Sequence, residues 1–266
     1  MRFGMTVIAV FGSLVIVSAS ALAAYAAGIS GTPSGNDVSY PQCGKTLPSR
    51  QPFGIVGVNE GLANTTNPCL ADEIAWAQNS SGITRHGKVS FYVNTANPGN
   101  LRVADWPTSN HDPIAHVVVS DPYGGCAGKD DRACAWQYGW NIAELDAQNR
   151  GILSPGRYRW WLDVETITSW ESSTRNNRAD LEGMVAYFHR IGGTVGIYST
   201  ASQWDKIVKT IPSASSLYRL ADWIPGARTL AQAMANCRLV PLTGRGTVTV
   251  TQWTASKTSH DFSCLR

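Results

Sequence analysis

The chain has 266 residues, 43% hydrophobic and 15% charged, with a formal net charge of +3 at pH 7. Residues 1–27 read as a secretory signal peptide, because Arg2 precedes an uncharged apolar run over 5–17 and then the small-residue sequences Ala21-Leu22-Ala23 and Ala24-Tyr25-Ala26. Removing Arg2 takes the charge from +3 to +2, too small an imbalance to imply attraction to nucleic acid or an anionic membrane.

The expected product is a secreted monomer with one domain over 28–266, in which no later stretch is apolar and long enough to span a membrane. Six cysteines in an exported chain argue for three disulfides, and sequence proximity pairs Cys43 with Cys69, Cys126 with Cys134 and Cys237 with Cys264. Their gaps lack the C-x-x-C spacing of a zinc site, so no metal or other cofactor is expected.

After a Gly/Ser/Pro leader over 29–36, short apolar strands alternate with helical stretches, the pattern of a single (β/α) barrel or layered α/β domain. Asp37-Val38-Ser39 reads as the exit of a first strand, 53–59 as a second, 70–78 as a helix and 88–95 as a third strand. Residues 101–133 form an irregular surface excursion. A helix over 135–148 and a strand over 157–165 follow, then a helix over 176–191 and a strand over 194–200. A sixth strand over 217–224, a helix over 229–237 and a final strand over 247–254 complete the set.

The informative segment is Trp160-Trp161-Leu162-Asp163-Val164-Glu165, an apolar strand that ends in two carboxylates one residue apart. Positions i and i+2 of a strand face the same side, about 6.5 to 7 Å apart, so both carboxyls look into one pocket. The C-terminal end of barrel strands is where active sites are built. Two close acids disfavour joint ionisation, so one is expected to hold a proton near neutrality, as a general acid requires. Asp37 ends the first strand and Asp261 follows the last. First and last strands of a closed barrel are neighbours, which brings these acids to the same rim; alone, Asp261 reads more readily as a loop acid or helix cap.

Taken together, Asp37-Val38-Ser39-x-x-Gln42, Asp163-x-Glu165, Gly196-Ile197-Tyr198-Ser199, Trp223, Gln252-Trp253 and Asp261 run in an order that resembles the glycoside hydrolase family 25 lysozymes, or Chalaropsis-type muramidases. The resemblance implies a TIM-like barrel, a cell-wall location and hydrolysis of the β-1,4 bond between N-acetylmuramic acid and N-acetylglucosamine in peptidoglycan, with retention. It assigns Glu165 as proton donor, Asp163 as the partner that stabilises the transition state or orients the N-acetyl group, and Asp37 and Asp261 as the rest of an acidic cleft. Tyr40, Asn94, Tyr198, Trp223 and Gln252 are the expected substrate-binding side chains, whereas Trp76, Trp136 and Trp160 are expected in the core. The third strand ends Tyr92-Val93-Asn94-Thr95 in place of the family's His/aromatic pair, and the Cys126–Cys134 loop is extra, which marks a divergent, actinobacterial-type branch.

Two other readings stay open on the same barrel. One is a non-catalytic glycan-binding or wall-interaction module, and the other a hydrolase of a different bacterial envelope polysaccharide. A secreted effector or inhibitor has no positive feature, and neither a Gly-x-Ser-x-Gly elbow nor a phosphate-binding Gly-rich loop occurs. His111, Asp112 and His116 lack metal-binding spacing and read as surface loop.

Overall fold

The computed structural model describes residues 34–100, 105–255 and 258–265. The expected signal peptide lies outside them.

Eight strands close into one barrel in sequence order. They are β1 (Ser34–Val38), β2 (Gly54–Gly57), β3 (Val89–Asn94), β4 (Arg159–Asp163), β5 (Thr194–Tyr198), β6 (Ala221–Ala227), β7 (Thr247–Ala255) and β8 (Thr258–Ser263). Neighbours from β1 to β7 pair in parallel, while β8 runs antiparallel to both β7 and β1 and seals the barrel. Among the described residues five α-helices accompany them: α1 (Leu70–Gln78), α2 (Arg132–Gln148), α3 (Thr174–Arg190), α4 (Ala201–Ile207) and α5 (Leu230–Asn236).

Two expectations are corrected here. Ser34 to Asn36 belong to β1 rather than to a leader, and Asp261 sits within β8 rather than in a loop beyond the last strand. Glycine and serine have weak strand propensity, so β1 is specified by what flanks it. Asp37 and Val38 pair with Ile55 and Val56 of β2, and Gly35 pairs with Asp261.

The helices start where local chemistry starts them. Asp131, Ser173, Thr200 and Thr229 each accept a hydrogen bond from the backbone N–H three residues on, opening α2, α3, α4 and α5. α2 and α3 meet through glycines, because a Cβ on Gly139 would stand 1.9 Å from the Asp180 carbonyl oxygen and one on Gly183 1.9 Å from that of Trp136. The excursion ahead of α2 is tied to it by stacking of Trp106 on Tyr138 and by the Trp140 indole, which donates to Asp112 Oδ2 at 2.9 Å.

Inside the barrel Phe53, Ile55, Trp161, Trp223 and Val250 form a separate apolar plug below the strand ends. Each indole buries roughly 150–250 Å² on folding, or on the order of 5 kcal/mol at about 25 cal/mol per Å². Glycine makes room for it: a Cβ on Gly196 would come within 2.3 Å of the Trp161 ring, and one on Gly57 within 2.5 Å of the Tyr92 ring. The plug fixes the floor on which the polar side chains of the upper rim stand.

Three disulfides join Cys43–Cys69, Cys126–Cys134 and Cys237–Cys264. The last ties the end of α5 to the residue after β8, the strand that carries Asp261.

Candidate active site

Strand register decides which side chains reach the rim. Asn94 of β3 pairs with Asp163 of β4, which pairs with Tyr198 of β5, which pairs with Trp223 of β6. On the other side Gln252 of β7 pairs with Asp261 of β8. With Asp37 on β1, side chains from seven of the eight strands converge at one mouth, where a cavity of about 120 Å³ is lined by Asp37, Tyr92, Asp163, Glu165, Tyr198, Trp223 and Gln252.

Beyond Asp163 the chain stays pinned, so Glu165 is held over that cavity. Thr95 Oγ1 donates to the Asp163 carbonyl at 2.7 Å, the Val164 N–H to the Tyr198 carbonyl at 2.9 Å, and Ser199 Oγ to the Val164 carbonyl at 2.7 Å. The half-buried Glu165 accepts from Gln203 Nε2 at 3.1 Å through Oε1, and its backbone carbonyl accepts from the Trp170 indole at 2.8 Å.

Asp163 is the buried member of the pair. Asn94 Nδ2 donates to its Oδ2 at 2.9 Å, while Oδ1 has no other donor. Burial pushes its pKa well above the ordinary carboxylate range; the adjacent Glu165 charge and the more distant Asp37 push the same way, and the Asn94 hydrogen bond opposes them. Burial and the neighbouring charges thus favour the neutral form of Asp163 far more than in an ordinary carboxyl.

A second carboxyl pair stands at the seam. Asp261 is fully buried, and burial, then the charge of Asp37, raises its pKa well above the usual range. Asp37 is also raised by burial, an effect offset by hydrogen bonds from Gln252 and from the Asp261 carboxyl. Gln252 Nε2 donates to Asp37 Oδ2 at 2.9 Å, and its Oε1 accepts from the Tyr198 hydroxyl at 3.2 Å. Burial and the surrounding carboxylates push the Tyr92 and Tyr198 phenols up as well, so both remain hydrogen-bond donors.

Of the residues expected from the sequence, Asp37, Asp163, Glu165, Tyr198, Trp223 and Gln252 line the cavity, whereas Asn94 and the fully buried Asp261 do not and stand behind Asp163 and Asp37. Trp223 is buried, with its ring edge-on to Tyr198 at 4.5 Å, so it forms the cavity floor rather than an open stacking platform. Tyr40 does not line the cavity; it lies in the short turn after β1 and is exposed, because Pro41 and the hydrogen bond from the Ser39 N–H to Gln42 Oε1 turn the chain outward. Trp136 and Trp160 are buried as expected, while Trp76 is half-buried and donates its indole N–H to the Pro48 carbonyl. Among the described residues no group of three His, Cys, Asp or Glu side chains is arranged to hold a metal ion.

Two site residues escaped sequence reasoning. Tyr92 alternates inward with Asn94 on β3, a position that strand periodicity does mark. Gln203 is visible only as the third residue of a helix opened by Thr200, where Gln ordinarily bonds back to the cap. Here its side chain goes instead to Glu165 and to the Thr166 N–H at 2.7 Å.

Residues 156–224 match the family model described as lysozyme-like protein 1, a stretch that runs from just before β4 into β6 and contains Asp163, Glu165, Tyr198 and Trp223. No curated protein matches the chain. Among solved structures it is similar to the modular Cpl-1 endolysin complexed with a peptidoglycan analogue, at 15% identity and a TM-score of 0.54 over 88% of this chain and 55% of that one. The multimodular pneumococcal cell wall endolysin from phage Cp-1, complexed with choline, matches at 14% identity with a TM-score of 0.52 over 88% and 55%. The Clostridium perfringens spore cortex lytic enzyme SleM matches at 14% identity with a TM-score of 0.51 over 87% and 67%. The chain spans about half the length of the endolysins, and at these identities the likeness is one of fold.

Proposed function

We propose that this protein is a secreted glycoside hydrolase that cleaves the β-1,4-linked glycan of peptidoglycan in the manner of the family 25 muramidases. The observation that carries the reading is the pairing of a buried Asp163, its pKa raised by burial, with the more accessible Glu165 over a single cavity. A lysozyme-like match over the segment holding both acids supports it, as does a fold shared with cell-wall and spore-cortex lytic enzymes.

In this proposal Glu165 donates a proton to the leaving-group oxygen of the scissile bond. Asp163 lies behind it and serves as the proton store: its proton passes to the Glu165 carboxylate and from there to the leaving-group oxygen, so Glu165 ends ionised as it began and the new Asp163 carboxylate faces the developing positive charge of the sugar. Asn94 holds Asp163 in place, and Tyr198 with Gln252 orients Asp37 at the opposite wall.

The test is release of reducing ends from purified peptidoglycan by the mature protein, with product masses to identify the sugar at the cut. The expected result is muramic acid at the new reducing end and a loss of about 10² to 10⁴ in rate for Glu165→Gln. Equal release by Glu165→Gln, or none by the parent protein on any envelope glycan, contradicts the enzyme reading. Binding without hydrolysis would mark the barrel as a glycan-binding module, and cleavage of a glycan without muramic acid would move the substrate to another envelope polysaccharide.

A further inference from the structure

The end of the barrel opposite the acidic mouth carries the reverse charge. The loop before β3 and the starts of β4 and β5 enclose a depression of about 430 Å³ whose wall includes Arg85, His86, Lys88, Arg157 and Arg159 but no Asp or Glu. Arg159 opens β4, two residues before Trp161 and four before Asp163, on the same face of the strand. Its guanidinium lies over the Trp161 indole, 5.3 Å from the ring centroid, and its Nη1 is buried with no hydrogen-bond partner among the described residues.

A guanidinium half out of water with no counter-charge is costly, and stacking on one indole offsets only part of that cost. Burial alone lowers its pKa, with no carboxylate acting against it. None of Arg85, Lys88, Arg157 and Arg159 is in an ion pair within the described residues, and burial, then the Arg159 charge, lowers the His86 pKa to about 4 and keeps its ring neutral. The floor is closed by His86, whose Nε2 lies 3.0 Å from Ser263 Oγ and whose ring packs on Phe53 at 4.9 Å. Arg85, Lys88 and Arg157 are exposed at the rim. The depression thus has a half-buried donor at its base and exposed cations around its edge.

We propose that this depression binds a phosphate group, as the free ion or as the phosphodiester of a polyanionic chain, with the Arg159 guanidinium at its base and Arg85, Lys88 and Arg157 closing over it. Four cationic side chains exceed the charge of one carboxylate but suit a tetrahedral oxyanion, and a guanidinium offers it paired donors. The site lies at the N-terminal ends of the strands, so a polyanion held there leaves the acidic mouth open.

The test is a titration of the ¹⁵N-labelled protein at constant ionic strength with inorganic phosphate and, separately, with a short poly(glycerol phosphate), followed through backbone and histidine-ring resonances. Saturating shifts at residues 85–88 and 157–159 and at the His86 ring are expected. Arg157→Ala combined with Lys88→Ala should weaken binding by about tenfold or more, and Arg159→Gln should weaken it further. The double surface variant keeps the test valid if Arg159→Gln fails to fold. Saturation by both ligands assigns the free phosphate group as sufficient, and saturation by the polymer alone assigns the phosphodiester. No saturating shift with either ligand up to tens of millimolar phosphate, or unchanged affinity in the double variant, overturns the proposal.

Discussion

Asp261 on β8 stands beside Asp37 on β1 across the seam that closes the barrel, and the charge of Asp37 adds to burial in raising the Asp261 pKa well above the carboxylate range. The contact joins the two ends of the domain and fixes the far wall of the acidic mouth. Asp261 is fully enclosed, while Asp37 is half-buried and also accepts from Gln252.

Burial and the Asp37 charge both favour the neutral form of Asp261, which is close in shape and charge to asparagine. Asp261→Asn should therefore keep the fold and retain activity within about tenfold, because the amide donates to Asp37 as the acid does. Asp261→Leu leaves Asp37 without that donor and should cost about tenfold more in kcat/KM. Steady-state kinetics on a soluble glycan fragment, with circular dichroism as the folding control, distinguishes the two.

Gly57 is predicted to tolerate no side chain. A Cβ there would lie 2.5 Å from both Ser39 Cβ and the Tyr92 ring. Gly57→Ala should lower unfolding stability by about 1–3 kcal/mol, read from the urea midpoint, and reduce activity through displacement of Tyr92.

Several buried acids make stability depend on pH on the alkaline side. Burial and then Asp112 push Glu144 from 4.5 up to about 8, burial pushes Glu73 up to about 7, and burial pushes Asp222 up to about 7. A carboxyl whose folded pKa is raised contributes stability that is complete below its unfolded pKa and is lost as pH rises through the folded value. The urea midpoint should therefore decline from about pH 5 to pH 9. Glu144→Gln should flatten the part of that decline near pH 8 and leave the part near pH 7 in place.

Much of this architecture is legible in the sequence because the relevant signals are local. Asp163 ends an apolar strand and Glu165 follows two residues later, beyond the strand but held over the same cavity, and the α1 helix over 70–78 carries its own Asp72 and Glu73 in the first turn. What stays hidden depends on tertiary pairing. β8 has the polar sequence Thr-Ser-His-Asp-Phe-Ser and forms a strand because β7 and β1 both offer it unpaired edges. Trp223 looks like a sugar platform until the ring contacts of Trp161 and Tyr198 enclose it. The division of labour between Asp163 and Glu165 is likewise a matter of depth in the barrel, which spacing does not encode.

The account rests on Asp163 being kept neutral beside Glu165, and its carboxyl carbon reports this directly. A ¹³C titration of Asp163 in the free protein should show the protonated shift through pH 7, with ionisation at markedly lower pH in Glu165→Gln, where the neighbouring charge is gone. An Asp163 that ionises in the ordinary carboxylate range in the parent protein, unaffected by Glu165→Gln, would contradict the paired-acid site.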